Sequence, residues 1–235
     1  MPSPSQHTPP LTISLILPVL DEERAIERTI AAGAAAEPVE VIVVDGESRD
    51  RTVGIAQRRS CRVVCSPPGR AIQMNAGAAV ASADVLLFLH ADTLLPSSAC
   101  DDVRHALRDP NVVGGRFDVR LDSPRTIYRV IERLMNARSR LTRISTGDQA
   151  IFVRRSVFKA LGGFAPIPLM EDVDLSRRLK RHGRIACLRS HVVTSARRWE
   201  QHGPWRTIGL MWTLRTLYLF GISPHRLARV YAAVR

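Results

Sequence analysis

Residues 13–46, ISLILPVLDEERAIERTIAAGAAAEPVEVIVVDG, carry two apolar runs around an alanine-rich segment. Ile13–Leu17 stops at Pro18, and Val39–Val44 stops at Asp45-Gly46. Runs apolar on both faces suit central strands of a parallel sheet. Between them, Glu22–Ala36 has acids in its first turn, where a helix macrodipole favours them. The pattern continues outward. Arg51–Arg59 is helix-like, Arg62–Cys65 is a short strand, and Ala71–Ala81 is a small-residue helix. Val85–Leu89 (VLLFL) is another buried strand, and Ser97–Leu107 a helix with a serine cap. Strands alternating with helices predict an α/β fold with a mostly parallel, Rossmann-like central sheet covered on both faces. Ligands in such sheets sit beyond the carboxyl ends of the strands. The polar residues there are Asp21, Asp45, Ser48, His90 and Asp92. No G-x-G-x-x-G follows the first strand and no G-x-x-x-x-G-K-[ST] occurs, which argues against dinucleotide and P-loop sites.

The second half is less regular. Val112–Arg120 reads as a strand with Gly114-Gly115 inside it, a bulge or a close backbone approach. Thr126–Leu141 is a basic amphipathic helix, Gln149–Val153 a strand, and Ser156–Leu161 a short helix. Glu171–His182 is a helix stopped by Gly183. Arg184–Leu188 and His191–Thr194 are two candidate strands, and Trp205–Arg235 reads as two helices broken at Gly221–Pro224.

The 235 residues suffice for one large domain with a real core. No apolar run reaches the ~20 residues of a membrane span. The first ten residues carry no signal-peptide pattern and read as a short tail. Cys61, Cys65, Cys100 and Cys187 form no C-x-x-C pair and read as reduced thiols. The net charge is +12, unevenly spread. Residues 1–117 hold 11 basic and 14 acidic side chains; residues 118–235 hold 23 and 8. A basic half fits an anionic partner, either a phosphate-bearing substrate or a membrane surface. With aromatics at 5%, single-strand nucleic-acid binding is disfavoured.

Five segments occur in order: SLILPVLDEE (14–23), VVDGESRDRT (43–52), PPGRAIQMNAGAAVASADVLLFLHADT (67–93), GDQAIFVRR (147–155) and GFAPIPLMEDVDLSRRLKRHGR (163–184). Together they resemble the family 2 glycosyltransferases, which have a GT-A fold. The HADT segment is similar to that of a compact bacterial subgroup. The resemblance covers roughly residues 11–200 and implies a GT-A domain over 11–204. Residues 11–117 are its nucleotide-binding half and 118–204 its acceptor and catalytic half. Residues 205–235 form a C-terminal helical extension.

The resemblance implies a sugar transferred with inversion from a nucleotide-sugar donor, UDP-linked, to an acceptor hydroxyl. Asp45 then accepts the ring N–H of the base, with Pro18, Asp21, Glu22 and Ser48 lining the pocket; Asp45 alone would read as a turn former before Gly46. Arg70 approaches the nucleotide from the start of a helix. His90-Ala91-Asp92 stands where the family carries Asp-x-Asp, so the first aspartate is missing. Asp92 is the metal ligand, for Mg²⁺ or Mn²⁺, and His90 a ribose or phosphate contact. Glu171 and Asp172 match the family's Glu-Asp pair, with Asp172 as base and Glu171 as its positioner. Gly147, Asp148 and Gln149 face the acceptor. Arg197-Arg198-Trp199 loosely resembles the Q-x-x-R-W element of processive synthases, without its glutamine, and assigns Arg198 and Trp199 to the acceptor or the diphosphate. His191 and His202 read as ordinary hydrogen-bonded histidines.

The acceptor class stays open between lipid and glycan. The expected location is the cytoplasm or the inner face of a membrane, with peripheral contact through the basic half. The alternatives are a membrane-surface or anionic-ligand binding protein on a GT-A-like scaffold, and a related nucleotidyltransferase. The latter would want a glycine- and lysine-rich loop where Asp21-Glu22-Glu23 stands.

Overall fold

A computed structural model describes residues 9–234. Most of the tail expected over residues 1–10 lies outside the described residues. The chain runs β1 (Ile13–Val19), α1 (Ile26–Ala34), β2 (Glu40–Asp45), α2 (Thr52–Arg58), β3 (Arg62–Cys65), α3 (Arg70–Val80), β4 (Val85–Phe88), β5 (Thr93–Leu94) and α4 (Ala99–Ala106). It continues with β6 (Val112–Leu121), α5 (Thr126–Thr142), β7 (Ile151–Arg154), α6 (Arg155–Ala160), α7 (Glu171–Leu179) and β8 (Arg184–Thr194). Three helices close it: α8 (Arg197–His202), α9 (Pro204–Leu219) and α10 (Pro224–Val234).

One eight-stranded sheet has the order β3-β2-β1-β4-β7-β6-β8-β5. The first four strands pair in parallel, as the apolar runs predict. β7 is antiparallel to both neighbours and β5 to β8, so the sheet is mixed. Period-two alternation divides the core. Leu15, Leu17 and Val43 pack toward α1 and α4, through Ile26, Ile30, Cys100 and Val103. Ile16, Val44 and Phe88 pack toward α3, α6 and α7, through Met74, Phe158 and Leu175. Pro18 lies within β1, past its last pairing with β4 at Ile16↔Phe88.

Several local expectations need correction. The helix expected from Glu22 starts at Ile26, after a turn in which the Ala25 and Ile26 N–H groups both bond the Glu22 carbonyl; the Glu22 and Glu23 N–H groups are capped by Thr52 and Asp50. Ser97 does not cap α4; Ser98 precedes it and donates its hydroxyl to Asp102. Gln149 belongs to a 3₁₀ turn over Gly147–Gln149, ahead of β7. The two strands expected over 184–194 are one, because β8 absorbs a bulge between the Arg116↔Cys187 and Asp118↔His191 pairings. Gly114 and Gly115 do mark a close approach. A Cβ there would stand 2.5 Å from the Phe152 carbonyl and 2.4 Å from that of Ala186.

Part of the arginine excess serves the fold. Arg116 is fully buried in β6, paired with Asp118 and donating to the carbonyls of Phe117 and Asn136. Arg140 pairs with the same Asp118 and reaches the Cys187 carbonyl. Arg129, Arg143, Arg154, Arg155 and Arg178 each donate to backbone carbonyls of other segments. These guanidiniums satisfy buried backbone acceptors that would otherwise cost free energy.

Candidate active site

The polar residues at the carboxyl ends of β1, β2 and β4 form two groups, joined by α3. The first group stitches the loop after β1 to the loop after β2. The Asp21 N–H donates to Ser48 Oγ at 3.0 Å, and Asp21 Oδ1 accepts the Arg49 N–H at 2.7 Å. Asp21 holds a left-handed φ of 53°, which aspartate tolerates better than most residues. Asp45 is buried, and its carboxylate accepts the N–H groups of Glu47 and Ser48. That is the turn-forming role open to an aspartate before glycine. A carboxylate has about four acceptor positions, so it can also receive a ligand N–H. Gln73, which sequence reasoning passed over, clamps the pair of strands. Its side-chain amide donates to the Val19 carbonyl at 2.7 Å and to the Val44 carbonyl at 2.9 Å. The available signal was a lone amide on the buried face of an alanine-rich helix.

The second group surrounds a pocket lined by Arg70, Phe88, His90, Gly147, Glu171 and Asp172, among others. Arg70 opens α3 and reaches Glu171 at 3.4 Å. Asp172 Oδ2 accepts the Gly147 N–H at 2.8 Å, and Oδ1 accepts the Val173 N–H at 2.7 Å. Burial, reinforced by the adjacent Glu171 charge, raises the Asp172 pKa to about 7. Two backbone hydrogen bonds and Arg70 oppose that rise without cancelling it. His90 packs against Gly147 so closely that a Cβ there would stand 2.3 Å from Nε2. Burial, with cationic Arg70 and Arg198 near, holds the His90 imidazole well below its usual value. Its Nε2 is buried without a hydrogen-bond partner, an atom free for a bound ligand.

Met170 precedes the carboxylates with a left-handed φ of 70°, a conformation that costs a non-glycine residue free energy. It is held there by packing with Val173, Leu214 and Leu227, so α9 and α10 brace the start of α7. Asn75, one turn beyond Arg70, exchanges hydrogen bonds with the Phe164 backbone and fixes the loop leading to α7.

Other expected residues stand apart. Gln149 is fully buried, and its amide oxygen accepts from Thr146, so it shapes the 147–149 turn instead of lining the pocket. Trp199 packs beside Leu121, Tyr128 and Ile131, away from the pocket wall. Arg198 is exposed, stacked over Tyr231, and acts on His90 through its charge. Asp148 is turned inward, with a buried Oδ1 that has no hydrogen-bond partner. Its charge and that of Asp172 both act on Arg138, a half-buried guanidinium that sequence reasoning also missed. Asp92 is half-buried between β4 and β5, outside the pocket lining, and its carbonyl accepts the Ser195 N–H at 3.2 Å.

Residues 14–162 match the family described as glycosyl transferase family 2. The chain belongs to that family. The match ends ahead of Glu171, so the carboxylates of α7 lie beyond it. A probable glycosyltransferase of Bacillus subtilis, YdaM, is 26% identical over 239 residues, covering 89% of this chain and 54% of YdaM. The chain thus spans about half the length of that relative. Among solved structures, glucosyl-3-phosphoglycerate synthase from Mycobacterium tuberculosis, crystallised with Mn²⁺, UDP and glucosyl-3-phosphoglycerate, superposes with a TM-score of 0.57. It is 24% identical, over 77% of this chain and 70% of that one. S. aureus TarS (residues 1–349), crystallised with UDP-GlcNAc, gives a TM-score of 0.64 at 18% identity, over 79% and 58%. These likenesses show the GT-A fold.

Proposed function

We propose that this member of family 2 transfers a sugar from a UDP-linked donor to an acceptor hydroxyl, by direct displacement and with inversion. The observation that carries the reading is Asp172. It is a half-buried carboxylate, fixed by two backbone N–H groups, with its pKa raised to about 7 and so poised to exchange a proton near neutral pH. A general base works best with a pKa near the working pH. Asp172 takes the acceptor's proton as the hydroxyl oxygen attacks the anomeric carbon, and the nucleoside diphosphate leaves from the opposite face. Glu171 stays paired with Arg70, and its charge helps hold the Asp172 pKa up. Asp45 receives the ring N–H of the base, supported by Asp21, Glu22 and Ser48. Arg70, at the amino end of α3, meets the diphosphate, where the helix dipole also favours an anion. His90 Nε2 contributes a further polar contact. Gly147 borders the acceptor side, while Asp148 and Arg198 stand back from it and act through their charges.

Among the described residues, no three His, Cys, Asp or Glu side chains converge on a metal position. Asp92 offers one carboxylate, and no described Arg or Lys pairs with it. Mg²⁺ typically binds through one or two carboxylates plus substrate phosphates, so this donor set fits a cation that arrives with the nucleotide. Asp92 would hold Mg²⁺ or Mn²⁺, whose chemistry is to neutralise the leaving diphosphate.

Turnover of a panel of UDP-sugars, read as UDP release with the product anomer assigned by NMR, tests the reading. Release by the wild-type protein with an inverted product supports it. No release from any UDP-sugar, with or without Mn²⁺, or a retained anomer, overturns it.

A further inference from the structure

We propose that α9 lies on the surface of an anionic bilayer, with its outer face among the lipid headgroups. One side of α9 is internal: Thr207 and Leu214 are buried, and Leu210, Leu217 and Tyr218 pack with Met170, Val173 and Leu227. The opposite side is apolar yet exposed. Trp205 is 74% exposed, Trp212 65%, Leu219 65% and Phe220 82%. Trp205, Trp212 and Leu219 are spaced seven residues apart, which aligns them along one face over roughly 21 Å. The other exposed positions between them are Arg206, Gly209, Thr213 and Thr216, so the only charge among them is basic. A contiguous exposed patch of this kind marks an interaction surface, and tryptophan is characteristic of the membrane–water boundary.

Charge selects the occupant. Residues 201–235 contain no Asp or Glu and five arginines. Arg206, Arg226 and Arg229 are exposed, and among the described residues no carboxylate pairs with them. A second copy docked on the same face would bring its own arginine-rich, carboxylate-free tail toward this one, like charge facing like. Anionic lipid supplies the complementary charge, and apolar and basic groups together are the two signals that hold an interfacial helix. No described helix is long and apolar enough to cross a membrane, so the contact is peripheral. It does not depend on which sugar the pocket takes.

The test is co-sedimentation of the intact protein with phosphatidylcholine vesicles, with and without about one-third phosphatidylglycerol. Tryptophan emission is recorded in parallel. Binding to the anionic vesicles at low salt, with a blue shift and little binding to phosphatidylcholine alone, is the expected result. W205S/W212S/F220S should lose binding at least about tenfold. R226E/R229E, which leaves the aromatic face intact, should lose it as well, and circular dichroism should show both variants folded. No binding of the wild type to anionic vesicles overturns the proposal. So does a wild-type dimer in solution that the aromatic substitutions dissociate, because the face would then belong to a second copy.

Discussion

The backbone N–H of Gly147 donates to Asp172 Oδ2 at 2.8 Å, across 25 residues of chain. The same glycine lies against the His90 ring. One backbone position thus sets both the candidate base and the imidazole facing it.

Asp172→Asn keeps the shape of the side chain and removes the proton acceptor. Turnover should fall by about 10²–10⁴-fold while UDP affinity stays nearly unchanged. Wild-type turnover should rise with pH through about 7 and level off above it. Stability should move the other way. The folded state holds the proton more tightly than the unfolded chain, whose aspartate titrates near ~3.9. The wild type should therefore lose stability relative to Asp172→Asn as pH rises from about 4 to about 7. Denaturant titrations at several pH values, beside a pH–rate profile, check both signs.

Gly147→Ala tests the close packing on His90. The added methyl would meet Nε2 at 2.3 Å, so the imidazole must shift. Gly147 does not have positive φ, so alanine introduces no backbone penalty there. Turnover should drop at least about tenfold, a loss of ~1.4 kcal/mol in the barrier, while circular dichroism stays that of the wild type. Full activity in this variant would remove His90 and Gly147 from the site.

Gln73→Ala removes two side-chain hydrogen bonds, to the Val44 carbonyl and to the Val19 carbonyl, which still accepts the Gly46 N–H. Each lost hydrogen bond is worth about 0.5–1.5 kcal/mol. Thermal unfolding should shift down, and UDP should bind more weakly as the loops after β1 and β2 separate. Equal UDP affinity despite lower stability would confine Gln73 to the scaffold.

Asp92→Asn addresses the cation. With one carboxylate available, Mn²⁺ alone should leave the melting temperature unchanged, and Mn²⁺ with UDP should raise it. At about 100 times the Kd the gain is ~2.7 kcal/mol. The gain from Mn²⁺ should vanish in Asp92→Asn. A melting shift from Mn²⁺ without nucleotide would point to a preformed site and count against this assignment.

The first half of the fold was legible because β1, β2 and β4 are apolar on both faces and each ends in polar residues. That pattern comes from sheet burial and needs no knowledge of the neighbours. β8 was not legible as one strand, because Arg189 and Ser190 interrupt its apolar run. They sit in the bulge, whose existence depends on pairing with β6. The arginine surplus after residue 117 was visible, but its use was not. Arg140 is spent on Asp118 and on the Cys187 carbonyl, and Arg129 and Arg143 on the Leu121 and Ile185 carbonyls, acceptors that come near only in the folded chain. Asp45 illustrates the limit at the site itself. Its turn hydrogen bonds were predictable from the following glycine, whereas Gln73, which holds the strands beside it, is identified only by where its amide points.

β5 is two residues long, yet it carries the chain from the centre of the sheet to its far edge. Thr93 pairs with Thr194, and the two hydroxyls hydrogen-bond at 3.0 Å, 101 residues apart. The loop bearing His90 and Asp92 is therefore pinned at one end by a strand made early and at the other by a strand made last. Contacts this distant in sequence must overcome the entropy of closing a long loop. During synthesis, β1 to β4 can assemble as soon as they emerge from the ribosome. Thr29 of α1 already holds the Ala91 carbonyl, but the Thr93–Thr194 pairing forms only after residue 194 has been translated and folded into place. The protein thus completes its site as one of the last events of its own construction.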